Sequence, residues 1–406
     1  MTIRRVLPLA AFAAVVLSAL WPTPSAAVPV FARKYGLNCT NCHSGFPRLN
    51  DWGQRFRANG YRLPGRENEE KTVFEGSAPL AMRTSFGYTD ESFDDPLGEA
   101  DRTGFRLEGL DILSAGVFAP HIGYMLVFPP QIAESRGVAG QEGTLEMASV
   151  VFSDLGSSWL NVRAGRFEPA YTAFSVKRHL TVTPYEVYDY AFPGGSPFSE
   201  TQEGIELTGY GRGFAYAAGW VNGSSTNRGD DGPADVYGRA AFTLGAGEGQ
   251  TAGQRFGVTG YLGSARRDPT YRGSAPPDTA LGDRQSFSRL GLDTSLNWRQ
   301  LNLAAQWLYG KDERSLWNDT ADVDWSGFFT ELTWQPVVTC LAFARYDLVS
   351  TPGVVNQDVT RWTGGVRYYF ADNLALHLEY SRRMIDVSGD EDPTENLAAA
   401  RLDFAL

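Results

Sequence analysis

Cysteine, histidine and methionine are all scarce in this 406-residue chain, at three, four and five residues. So few cysteines exclude a disulfide framework, and four histidines leave little for a hydrolytic triad or a metalloprotease. Neither a nucleophile elbow nor a phosphate-binding glycine loop is present. Basic charge is short as well: 36 Lys and Arg against 47 Asp and Glu give a net charge of −11. The dense basic face that phosphate contacts need is missing, so nucleic acid is not an expected partner. Beyond the N-terminus no apolar run is long enough for a transmembrane helix.

What the chain has instead is 43% hydrophobic residues, 44 glycines, 18 tyrosines, 24 phenylalanines and 10 tryptophans. That is the composition of a large ordered structure rich in β-strand. Its N-terminus opens with two arginines before Val6, continues as an apolar run to Trp21 and ends in small residues at Ala27. These features predict a secretory signal peptide over residues 1–27, since the run is shorter than the roughly 20 residues of a bilayer span.

Just beyond it stands Cys39-Thr40-Asn41-Cys42-His43. The spacing is that of a c-type haem attachment site, in which two thiols bond the haem and the adjoining imidazole ligates the iron. A zinc site would need further ligands, but Cys340 is the only other cysteine; a thioredoxin-like pair would need a βαβ setting; a Cys39–Cys42 disulfide remains open for an exported protein. After the motif, Pro47 suits a first helical turn, Leu49, Trp52 and Phe56 share a face that would lie on the haem, and Asn59-Gly60 stops the helix. Arg48, Arg55 and Arg57 are candidates for pairing with the propionates. Residues 28–75 form the expected haem segment, too short to enclose the group alone.

From residue 76 to 406 a period of two dominates, as in Leu290 to Trp298, where Leu290, Leu292, Thr294, Leu296 and Trp298 alternate with small or polar residues. About 16 strands are expected between residues 78 and 406. Short links, such as Gly211-Arg212 and Arg299-Gln300, alternate with long polar loops, among them 90–102, 130–141 and 167–200. Short turns on one rim and long loops on the other predict an all-β antiparallel barrel of the outer membrane. Trp298, Trp334 and Phe370 would border the short turns, and Phe86, Tyr88 and Tyr309 the other interface.

The stretch from Phe31 to Tyr61, followed by a barrel to the C-terminus, resembles the fused monohaem cytochrome–porin proteins of the outer membrane, which include iron-oxidising c-type cytochromes. The resemblance implies one covalent haem c on Cys39, Cys42 and His43, plugged into the barrel lumen. It further implies extracellular ferrous iron as electron donor and a periplasmic carrier, such as a soluble c-type cytochrome, as acceptor. Outer-membrane lipid would surround the barrel, and a homotrimer is a candidate assembly, as 16-stranded porins commonly trimerise.

The haem segment offers no methionine as a distal ligand. Strand parity turns His121, Met125 and His377 inward, and His179 sits in the longest loop, which can fold into the lumen. Carboxylate clusters at residues 90–101, Asp230-Asp231 and Asp390-Glu391-Asp392 would draw cations, although solvated loops also explain them. Cys340, at a strand start, reads as a packed free thiol. Two alternatives stay open: the same relay run outward to an external acceptor, and a diffusion porin that never receives haem.

Overall fold

The computed structural model describes residues 30–45, 47–65, 69, 71–75, 78–95, 98–130, 145–189, 201–223, 235–245, 253–266, 284–313, 322–353, 355–387 and 392–406. The expected signal peptide and several long loops, with Asp230-Asp231 and Asp390-Glu391, lie outside the described residues.

Sixteen strands form a closed antiparallel barrel. The first eight are β1 Leu80–Asp95, β2 Gly98–Ala119, β3 Ile122–Phe128, β4 Met147–Phe152, β5 Asn161–Phe167, β6 Gln202–Gly211, β7 Phe214–Val221 and β8 Asp235–Leu244. The rest are β9 Gln254–Arg266, β10 Arg284–Trp298, β11 Leu301–Asp312, β12 Val323–Val337, β13 Cys340–Thr351, β14 Gln357–Ala371, β15 Leu374–Val387 and β16 Thr394–Ala405. Each strand pairs with its sequence neighbours, and β16 pairs with β1 through Phe86 opposite Leu402 and Tyr88 opposite Ala400. A last reciprocal pair of bonds, Met82 N to Leu406 O at 2.9 Å and Leu406 N to Met82 O at 2.8 Å, leaves no open edge at the seam.

Alternation decides the two faces. Along β11, Leu303, Trp307 and Tyr309 are exposed while Asn302, Ala304, Gln306 and Leu308 are buried. Outside, Leu262, Leu292, Trp298, Trp334 and Trp362 belong to an apolar belt of the kind a barrel turns to lipid. Inside, Arg345 pairs with Asp347, Arg289 with Asp312, Arg163 with Glu206 and Arg239 with Asp293. Buried charges of this kind persist only when paired, because each alone would carry a desolvation cost of several kcal/mol. Among the described residues no helix is long and apolar enough to cross a membrane.

Three expectations change. The supposed loop 90–102 is mostly the paired ends of β1 and β2, with Asp90 opposite Thr103 and Glu91 opposite Arg102. A hairpin that rises clear of the apolar belt is wetted on both faces, so its strands carry no dyad of apolar residues and read as a loop. His121 is not an inward strand residue but a turn residue before β3, with φ 63°. The helix after the haem motif begins at Asp51 rather than near Pro47, because the Asn50 side chain caps it by accepting from Gly53 N at 2.9 Å.

Two segments enter the lumen. The first is the N-terminal plug, with helices α1 Val30–Tyr35, α2 Cys39–Cys42 and α3 Asp51–Ala58. It meets the short-turn rim where Cys39 Sγ approaches Asp372 O at 3.6 Å and where Gly60 packs on Gly123. The second is the chain after β5, residues 168–189, which folds inward and ends in α4 Glu186–Asp189. Its Val182 and Thr183 N–H groups donate to the Glu379 carboxylate at 2.7 and 3.2 Å, and Glu186 pairs with Arg361 and Arg383.

Candidate functional site

The haem motif occupies one tight turn. Cys39 and Cys42 cap the two ends of α2, and His43 N closes it by donating to Cys39 O at 2.9 Å. Asn50 clamps this turn to α3: its Nδ2 donates to Thr40 O and Asn41 O, and its N–H donates to Cys42 O at 2.9 Å. Gly53 lies so close to Cys42 O that any side chain there would collide with it. The sequence therefore places both thiols and the imidazole on a rigid, helix-backed loop.

Both cysteines are free thiols, so the disulfide alternative is not what the fold adopts. Burial, with the Asp372 carboxylate adding to it, pushes the Cys39 thiol up to about 11, and burial pushes Cys42 up to about 12. Burial lowers His43 to about 4, which leaves a neutral imidazole at pH 7. The His43 Nδ1 bonds to the Pro47 carbonyl at 3.1 Å. Metal-ligating histidines commonly have a ring nitrogen held by a carbonyl in this way.

Below the motif, Trp52, Phe56, Tyr61 and Leu63 bury themselves together, with Phe31, Tyr35, Leu37 and Cys42 packed around them. Trp52 stacks on Phe56 at 5.6 Å and Phe31 stacks on Tyr61 at 5.2 Å. Ion pairs hold the plug to its surroundings: Arg48 to Glu331, Asp51 to Arg255, Arg57 to Glu168 and Arg62 to Asp154. Arg48 and Arg57 are thus committed to carboxylates rather than offered to propionates.

Above the motif is a cavity of about 1340 Å³. Pro47 and His179 both face it, and Arg83, Arg361, Arg367 and Arg401 supply much of its wall. That volume exceeds the roughly 300–1,000 Å³ of an ordinary small-molecule pocket. Of the residues next to the motif Pro47 reaches this cavity, and its arginines are paired, Arg83 with Asp111, Arg361 with Glu186, and Arg367 and Arg401 with Asp403. Two free thiols and a neutral imidazole on one clamped turn are the donor set that a covalent haem requires.

The four distal candidates separate clearly. His377 is fully buried, with Nδ1 accepting from Arg367 Nε at 2.7 Å and Nε2 against Glu379 at 2.8 Å. Met125 does face inward, but its sulfur accepts from Tyr61 OH at 2.9 Å inside the plug cluster. His121 lies at the rim against Arg62 and Ser153 O. His179 alone of the four lines the cavity beside the motif. Its Nδ1 bonds to Thr181 O at 2.6 Å, and burial next to the Arg345 cation lowers it to about 4.

The aromatic cluster behind His179 has no counterpart in the sequence reading. Tyr171, Phe174, Tyr185 and Tyr188 of the inward segment pack on Tyr237, Tyr261, Phe287, Trp325 and Phe329 of the wall. The density of aromatics across residues 167–200 was the available signal, since a solvated loop has no use for them.

No family model matches the chain, and no curated protein matches it. Solved structures do. The chain is similar to an anion-selective porin from Comamonas acidovorans, at 13% identity and TM-score 0.55 over 80% of this chain and 99% of that one. It is similar to the outer membrane channel DcaP of Acinetobacter baumannii at 8% identity and TM-score 0.55, covering 80% and 97% of the two chains. A third likeness, at 11% identity and TM-score 0.53 over 80% and 99%, is to the trimer form of OmpT, an outer membrane protein of Vibrio cholerae. At such identities the likeness establishes architecture: the chain carries a porin-type barrel.

Proposed function

We propose that this chain is an outer-membrane electron-transfer protein, a porin-type barrel whose plug carries one haem c on Cys39, Cys42 and His43. The observation that supports it is the attachment motif held on a clamped loop within the lumen, with the His43 Nδ1 tethered to Pro47 O beside a basic cavity. The haem would supply reversible one-electron chemistry. The residues do the rest. Cys39 and Cys42 anchor, and His43 orients and ligates. The barrel excludes bulk water and membrane lipid from the relay.

Export and the short-turn position of the plug favour a periplasmic inner mouth, with a soluble c-type cytochrome as the carrier met there. Ferrous iron outside is the donor proposed, because its oxidised form is insoluble near neutral pH and only its electron is worth importing. A trimer is the assembly proposed, in keeping with the porin neighbours. The second reading is a diffusion channel without haem, favoured by the neighbours named above; a lumen filled by two pinned segments counts against it.

One experiment separates them. Protein purified from the outer membrane is stained for covalent haem, examined as its pyridine derivative, then mixed anaerobically with ferrous iron while the haem bands are followed. Prompt reduction is expected. A stain-negative protein conducting ions in planar bilayers would leave the channel reading in place.

A further inference from the structure

The inward segment touches the plug two residues past the haem motif. Gly45, two residues past His43, has its Cβ direction blocked by Leu180, whose Cδ1 would stand 3.3 Å from an added carbon, and by Leu341. Leu180 follows His179 directly and is fully buried against Leu341 and Phe343. The two histidines thus flank a single contact between plug and loop, and Pro47 and His179 border the same cavity.

His179 is also held. Its Nδ1 is fixed on Thr181 O, and the following residues are pinned by Glu379 and by Arg345, which donates to Thr183 O at 3.0 Å and Pro184 O at 2.7 Å. The ring meets Tyr185 edge-on at 6.2 Å. A ring tethered through Nδ1 to a carbonyl, on a braced loop, repeats the arrangement of His43 on the other segment.

We propose that His179 supplies the second axial ligand to the iron held by His43, so that plug and inward segment close on one haem. This rests on the functional reading above. Coordination would donate the Nε2 lone pair to the iron while Nδ1 keeps its proton, so neither proton nor electron is released. The ligand would tie the inward segment to the plug and keep the iron coordinatively saturated, which suits electron transfer over binding of small molecules.

The test is spectroscopic, on the full-length protein purified in detergent. Ferric wild-type protein is expected to give the low-spin electron paramagnetic resonance of two imidazole ligands. His179→Ala is expected to keep the covalent haem stain, turn high-spin and return to low-spin on adding free imidazole. His179→Met, which preserves a ligating side chain, is expected to stay low-spin with a sulfur-to-iron charge-transfer band and a more positive midpoint potential. Heat-dependent gel mobility checks that each variant keeps its barrel. A wild type that stains for haem but is high-spin, or variants that stain and keep the wild-type spectrum, would overturn this assignment and leave the haem reading standing. A wild type that never stains would overturn the haem reading first.

Discussion

The two segments that fill the lumen are held by different physics. The plug has a small core of its own, in which only Ala115 and the partly buried Met125 come from the wall, and it meets the barrel chiefly through ion pairs. The inward segment has no separate core. Its four aromatics, with Ala173 and Val187, complete a cluster whose remaining members, among them Tyr237, Tyr261, Phe287, Leu308, Trp325 and Phe329, belong to the wall. The barrel therefore needs the loop to cover its apolar inner side, whereas the plug is a guest that charge keeps in place.

That contrast can be broken most directly with paired truncations of aromatic residues. Phe329→Ala removes a fully buried ring stacked on Tyr185 at 4.0 Å, and Trp52→Ala removes a buried ring of the plug. Each should cost about 3–5 kcal/mol where it packs. The first is expected to lower the temperature at which the barrel unfolds on heated gels. The second should leave that temperature within a few degrees of wild type while exposing the plug to protease. Equal loss of barrel stability from both would erase the distinction.

A sharper test lies at Glu331, which accepts from Arg48 of the plug and from Tyr185 OH of the loop at 3.3 Å. The carboxylate is fully buried. Arg48→Ala leaves it without its cation and should destabilise plug docking by about 3–5 kcal/mol. Arg48→Ala combined with Glu331→Gln should recover much of that loss, read as plug protection from protease. If the double variant were no better than the single, the ion pair would not be what seats the plug.

Gly53→Ala offers a smaller, local change. The added methyl has no room beside Cys42 O, so the motif loop must lift from α3. A several-fold fall in covalent haem per barrel is expected, with barrel mobility unchanged. Haem content equal to wild type would mean that the loop has slack the packing does not suggest.

How far the sequence could be read follows the same contrast. Every strand was legible, because lipid outside and charge inside impose a period of two on residues such as Leu290 to Trp298. The Cys39 to His43 stretch stands out because three chemically scarce residues sit in fixed spacing, and the haem proposed for it is read from that spacing. The hairpin of β1 and β2 was not, since Asp90 to Asp94 stand where water lies on both faces. That the 167–200 loop can fold into the lumen was legible, but not the path that residues 168–189 take. Its anchors are scattered over β6 to β15, and only the closed barrel brings Glu379, Arg345 and Phe329 to face one loop. His377 illustrates the limit well: parity turned it inward together with Glu379 of the same strand, yet Arg367, which donates to its Nδ1, is visible only in the paired strands.

Acid should loosen the two segments last where they grip each other. Glu168, at the start of the inward segment, accepts from Arg57 of the plug and from Arg178 and Ser175 of its own loop. Burial alone would raise this carboxyl, but the Arg178 and Arg57 guanidiniums hold it well below its ordinary value of 4.5. A carboxyl depressed on folding contributes stability that is complete above its unfolded value and is lost progressively as pH falls from there through its folded value. The share of plug protection that Glu168 carries, read with an acid-tolerant protease as the difference between wild type and Glu168→Gln, is therefore expected to be constant from neutral pH down to about 4.5 and to shrink in stronger acid. Glu168→Gln should weaken protection at neutral pH and flatten the acid limb. A difference that shrinks already between about pH 7 and 5 would mean that no depressed carboxyl holds the Arg57–Glu168–Arg178 junction, which would then not be the last contact to yield.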